Sequence, residues 1–222
     1  LEPHSQAHAD PPNGLQKSGL GILRKSEDLV MSLYLYLNEH WHADTWVGGG
    51  KIPINPASVY RSMEREGIFT PDENLIHKSE VDLMGLSPFL NIAPGAEVRG
   101  LTMTNCRMNG VRVPDVKDAQ YYFDDGLILS FSSRLTHVLA RKMKKKACVR
   151  ILDMTNLKAN LDEQLGATSE AAYCQYTTGH ERNHFLKSEL DSWQSEFRLF
   201  WPITTKVEVL VPTGTAELVC TW

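Results

Sequence analysis

Nothing in this 222-residue chain approaches the roughly 18 consecutive apolar residues of a membrane-spanning helix. Its first stretch, LEPHSQAHADPPNGLQKSG, has no apolar core of a secretory signal. Residues 1–25 are therefore read as a disordered lead or an expression remnant, and 26–222 as a single domain. Cysteine is scarce: Cys106, Cys148, Cys174 and Cys220 are scattered, with no CxxC pair. That suits buried thiols in a reducing cytoplasm better than a zinc ribbon or a disulfide frame. Positive charge is not in excess either. A net charge of −4 argues against wholesale attraction to nucleic acid or to a membrane.

What is present suits one substantial core, since 42% of the residues are hydrophobic. Strands are expected over Gly126–Ser133, Ala147–Leu152, the Gln194 region, Lys206–Val211 and Ala216–Trp222, with Tyr173–Tyr176 extended. Helices are expected over His40–Trp46, Arg134–Lys146 and Asn156–Leu165. Leu29–Leu37 is short helix or strand, and residues 75–118 are short strands and loops. Gly48-Gly49-Gly50 reads as a helix stop, and Lys51-Ile52-Pro53-Ile54-Asn55 as a strand at a sheet edge, because proline cannot donate to a ladder. Regular strand–helix–strand alternation is missing, so the fold class is α+β with mainly antiparallel sheets.

Three local patterns carry chemistry. In Trp193-Gln194-Ser195-Glu196-Phe197-Arg198 a strand would place Gln194, Glu196 and Arg198 on one face. Phe197, Leu199 and Trp201 would then occupy the inward face. A carboxylate beside a carboxamide suits stabilisation of a cationic sugar transition state; a half-exposed edge strand is the plainer alternative. Next, His180-Glu181-Arg182-Asn183-His184 matches the zinc-hydrolase pattern, with His180 and His184 as ligands and Glu181 as base. Thr177-Thr178-Gly179 before it reads as loop, and no third ligand stands at the usual spacing, although Glu189, or Glu196 on the following strand, could serve. Last, Arg141-Lys142-Met143-Lys144-Lys145-Lys146 sets five cations in six residues at a helix end. It is either a solvated terminus complementing the helix dipole or a phosphate-binding patch.

The Gln194-x-Glu196 pair and the strand ending Ser130-Phe131-Ser132 together resemble the ADP-ribosyltransferase superfamily. The first looks like the motif of its amide- and guanine-modifying members, the second like their Ser-Thr-Ser strand. The segment His184-Phe185-Leu186-Lys187 to Arg198 also resembles the C-terminal signature of uncharacterised bacterial proteins found near toxin and phage-defence genes. Tyr34-Leu35-Tyr36 and Gly50-Lys51-Ile52 sit where that group carries short strands, but Leu35 stands where a basic residue is expected.

The resemblance implies a split-sheet core with flanking helices and NAD as cofactor. Ser130 and Ser132 would support the nicotinamide, and Tyr60 or Tyr36 would stack on it. Arg61 or Arg24 would replace the missing cofactor-gripping arginine. Glu196 would stabilise the oxocarbenium-like state, an effect of about 3–4 kcal/mol for a single preorganised group, while Gln194 orients the acceptor. Since position 194 carries an amide where arginine-modifying enzymes carry glutamate, the acceptor would be a nucleobase or a protein amide. A neutralising partner protein is a further expectation. A non-catalytic binding module, with Trp193, Phe197 and Trp201 as core alone, stands beside the transferase and the zinc hydrolase.

Overall fold

The computed structural model describes residues 32–62, 73–87, 90–93 and 95–222, without the side chains of residues 61, 62 and 108. In chain order, β1 (Leu33–Leu37), α1 (His42–Gly48), β2 (Gly50–Pro56) and α2 (Ala57–Ser62) come first. Then follow β3 (Leu75–Lys78), β4 (Val98–Met103), β5 (Arg107–Met108), β6 (Val111–Arg112), β7 (Val116–Phe123) and β8 (Leu127–Ser132). After these come α3 (His137–Lys142), β9 (Ala147–Ile151), α4 (Met154–Leu165), β10 (Glu170–Tyr173), β11 (Gln175–Thr177) and β12 (Leu186–Ser188). A 3₁₀ turn, Glu189–Gln194, leads into β13 (Glu196–Trp201), β14 (Val207–Val211) and β15 (Ala216–Thr221). The class is mixed α+β with mostly antiparallel sheets and few helices.

The main sheet runs β10-β13-β8-β1-β9-β15 and forks at β8. One edge of β8 pairs with β13 along its whole length, from Glu196 opposite Ser132 to Trp201 opposite Leu127. The other edge is shared: Ser132 pairs with Tyr34 of β1, while Leu127 and Ile128 pair with Pro56 and Asn55 of β2. From there β1 continues to β9 and β15, and β2 to β14. Helix α1 connects β1 to β2 and drives Ala43 and Trp46 into the core, where Trp46 meets Phe131 edge-on at 6.5 Å. Gly49, at φ 86°, ends the helix as expected of the triple glycine, since other residues rarely adopt that angle. Strand β2 pairs with β14 over residues 50–54, Pro53 opposite Glu208, and meets β8 only at Asn55 and Pro56, so among the described residues Pro53 has a ladder partner on one side only, as expected of a proline at a sheet edge.

Period-2 alternation sets two buried faces on β8 and β13. Leu127, Phe131, Leu199 and Trp201 enter the main core with Val149, Ile151 and Leu161. Ile128, Ser130 and Ser132 share the opposite face with Glu196, Arg198 and Phe200, as the register requires. That second face is covered by residues 184–194 and by Glu73, so β13 is a central strand and not a half-exposed edge. A separate three-stranded sheet, β3-β7-β4, has its own apolar cluster around Leu83, Val116 and Ala119. Paired hydrogen bonds of 2.9 Å between His77 and Arg182 tie it to the loop before β12. Residues 1–25 and Arg24, for which expectations were given, lie outside the described residues.

Candidate functional site

Glu196 begins β13, and its carboxylate is the centre of a buried ion network. The Lys187 ammonium donates to Glu196 Oε2 at 2.7 Å and to Gln194 Oε1 at 2.8 Å, with Glu73 Oε1 at 3.5 Å. Arg198 donates through Nε to Glu196 Oε1 at 2.9 Å and through Nη2 to Glu73 Oε2 at 2.7 Å. Its Nη1 reaches the His184 carbonyl at 2.6 Å. Lys187, Glu196 and Arg198 are 4%, 6% and 1% exposed, too little for water to screen them. The Ser130 hydroxyl, from the neighbouring strand, donates to Glu196 Oε1 at 2.5 Å.

The electrostatics follow from this packing. Burial opposes the Glu196 charge, but Arg198 and Lys187 override it and hold the carboxyl at about 2. Burial likewise works against the Lys187 ammonium, and Glu196 and Glu73 outweigh it and push its pKa up. Tyr176 accepts from the Glu196 backbone N–H at 3.0 Å, and burial pushes its phenol up to about 12. Cys174 lies within the field of the same charges, its thiol raised by burial to about 12 and kept uncharged. Two buried polar atoms beside the network have no partner among the described residues, Asn74 Oδ1 and His184 Nδ1.

The residues expected to act divide clearly. Glu196, Gln194 and Ser130 do come together. Gln194, however, closes the 3₁₀ turn rather than lying on the strand, and Ser195 reverses the chain at φ 45°. Arg198 does share a face with Glu196, but that face is buried and not turned to solvent. Ser132 is used structurally: it donates to the Gln194 carbonyl at 2.8 Å and accepts from the Arg134 N–H at 3.1 Å. Tyr36 packs under α3, donating to the Arg134 carbonyl at 2.8 Å and stacking on Trp222. Tyr60 is 37% exposed on α2, its phenol raised by burial, with Asn55 opposing and Glu73 adding to the rise. The Arg61 side chain lies outside the described residues.

The zinc-hydrolase geometry is not formed. Residues 180–184 are loop, so His180 and His184 are not one turn apart on a helix. His180 Nε2 meets the Ser79 carbonyl at 2.8 Å, whereas His184 stacks on Phe200 at 3.7 Å and pairs with Asp124 at 3.2 Å. Among the described residues no group of three metal-ligating side chains converges. Burial pushes His184 toward its neutral form against the pull of Asp124.

Glu73 and Asp124 carry no sequence signal. Both lie in connections, and Glu73 reaches Arg198 across 125 positions of chain. Lys187 could be singled out only as part of the resemblance; a lone lysine on a three-residue strand says nothing of its burial. A cleft of 520 Å³ lies along β10, lined in part by Tyr173, Gln175, Phe185 and Leu186, and includes none of the expected cofactor residues. No family model, curated protein or solved structure matches this chain.

Proposed function

We propose that this protein is a toxin-like NAD-dependent mono-ADP-ribosyltransferase whose acceptor is a nucleobase or a protein amide. The observation that carries the reading is the Ser130 hydroxyl bonded at 2.5 Å to an ionised Glu196, with Gln194 tied to the same carboxylate through Lys187. A preformed anion on a rigid strand is the group needed where positive charge develops on a sugar, because it requires no reorganisation at the moment of reaction. The fork of the sheet at β8 supports the split-sheet core that the resemblance implies.

The residues present fit the nucleotide. Among the described residues Glu196 Oε2 receives only Lys187, leaving a lone pair for a ribose hydroxyl. Asn74 Oδ1 is an unused acceptor for an amide N–H, and Tyr60 offers a partly exposed ring. NAD when bound supplies the ADP-ribosyl group and its nicotinamide leaving group. Glu196 holds the sugar, Ser130 and Arg198 hold Glu196, and Gln194 faces the acceptor. Lysine donates only, so the Gln194 amide must turn its oxygen to Lys187 and its NH₂ away from it. A free NH₂ favours an acceptor that offers a carbonyl or ring nitrogen and disfavours a guanidinium.

The mutual ion pairing of Lys187, Glu196 and Arg198 favours a second reading, a non-catalytic binding module in which the network is structural. Labelled NAD and a cell lysate, separated into protein and nucleic-acid fractions, distinguish the two. Wild type is expected to label one fraction, with or without a chelator. Glu196→Gln, verified as folded by circular dichroism, is expected to lose at least 100-fold. Expression of wild type, and not of the variant, should arrest bacterial growth. Absence of both transfer and NAD cleavage by wild type would reject the transferase and leave the binding module.

A further inference from the structure

A cationic face adjoins the turn that carries Gln194. Arg134, Arg141, Lys142 and Lys144 are all exposed, on α3 and at its two ends, although the chain as a whole carries −4. Part of the basic run is consumed locally: Lys145 donates to Asn38 at 2.6 Å and Lys146 pairs with Glu39 at 2.7 Å. Arg134, Arg141 and Lys142 have no carboxylate within ion-pair distance among the described residues. Instead the Lys142 ammonium lies 3.6 Å over the ring of Trp193, the half-buried residue directly before Gln194. Glu189 and Asp191 occupy the first turn of the same 3₁₀ segment, leaving the surface cationic on balance.

We propose that this face binds single-stranded nucleic acid, with phosphates on Arg134, Arg141 and Lys142 and an unpaired base on Trp193. Helix α3 itself is about 9 Å long at 1.5 Å per residue, with Arg134 beyond its start, room for a few nucleotides. Stacking requires a base free of its complement, which selects a single strand over a duplex. The indole distinguishes the surface from one that would attract any acidic protein by charge alone. Lys142 is the moving part: in the free protein it covers the indole, and a phosphate draws it off so that a base takes the ring. Delivery of that base to Gln194 rests on the transferase reading; the binding does not.

The test is fluorescence anisotropy of a labelled 12-nucleotide single strand titrated with the full chain, without NAD, over a range of salt. Duplex and heparin serve as competitors, and tryptophan fluorescence is followed in parallel in wild type and in Trp193→Leu, the difference isolating Trp193 from the other four tryptophans. Arg141→Gln/Lys142→Gln is expected to weaken binding at least 10-fold and to lower the log–log salt slope by about 1.4. Trp193→Leu, verified as folded by circular dichroism, is expected to weaken it about 10-fold. Absence of binding at 50 mM salt would overturn the proposal. So would equal affinity for duplex, or displacement by heparin together with indifference to Trp193→Leu. Binding that obeys these expectations without any ADP-ribosyl transfer supports the surface and rejects only the transferase.

Discussion

Lys187 brings a full positive charge to a position 4% exposed, where Glu196, Gln194 and Glu73 receive it. Removing one member of such a network leaves another charge buried without its partner, at a cost of about 3–5 kcal/mol. Lys187→Met and Glu196→Gln should each lower the unfolding free energy from urea titration by that amount. The double variant should recover part of it, because its losses overlap; strict additivity would contradict the pairing. The pH dependence has a definite sign. Glu196 is held at about 2, below the ordinary carboxylate value near 4.3, so its contribution is fully present above that value. It is lost as pH falls from about 4.3 through 2. Stability measured by urea titration should fall over that interval, and less steeply in Glu196→Gln.

Among the elements, α4 depends on one side chain. Asp162 accepts from Trp201 Nε1 at 2.7 Å, from the Ser169 N–H at 3.0 Å and from Lys158 at 2.6 Å, tying the helix to the far end of the strand that begins with Glu196. Burial raises this carboxyl, and these donors more than reverse the effect. Asp162→Ala would leave the fully buried Trp201 indole N–H unpaired, at a cost of about 2–3 kcal/mol. Asp162→Asn, which keeps an acceptor oxygen, should cost clearly less when thermal melts of the two variants are compared. Helix α3 is capped by Thr136, whose hydroxyl accepts from the Leu139 N–H at 3.0 Å. It covers only His137–Lys142 of the expected 134–146, because Lys144, at φ 52°, has left the helix and Lys145 and Lys146 are held by residues after β1.

For the whole molecule, Glu73 is the clasp. It stands two positions before β3, yet its carboxylate joins Arg198 and Lys187 on the main sheet. The small sheet is otherwise tied there by the His77–Arg182 bridge, the His180–Ser79 contact and the His184–Asp124 pair. Glu73→Gln should therefore speed amide hydrogen exchange in β3, β4 and β7 by about 10-fold, while β9, in the buried middle of the main sheet, stays protected. Equal acceleration throughout would mean that the two sheets open as one unit.

By itself the sequence determined the α+β class, most strand and helix positions, the helix stop at the triple glycine and the common face of Glu196 and Arg198. Each of these follows from local steric preference or from a period of two or 3.6, which act over a few residues. Only the tertiary structure decided that this face is buried, that β13 is central, that Gln194 belongs to a turn and that His180 and His184 part company. It also decided that Ser132 and Tyr36 are framework and that Glu73 joins the ion network. Those outcomes depend on groups brought together from distant parts of the chain, where burial changes the strength of a charge and no local pattern records the partner.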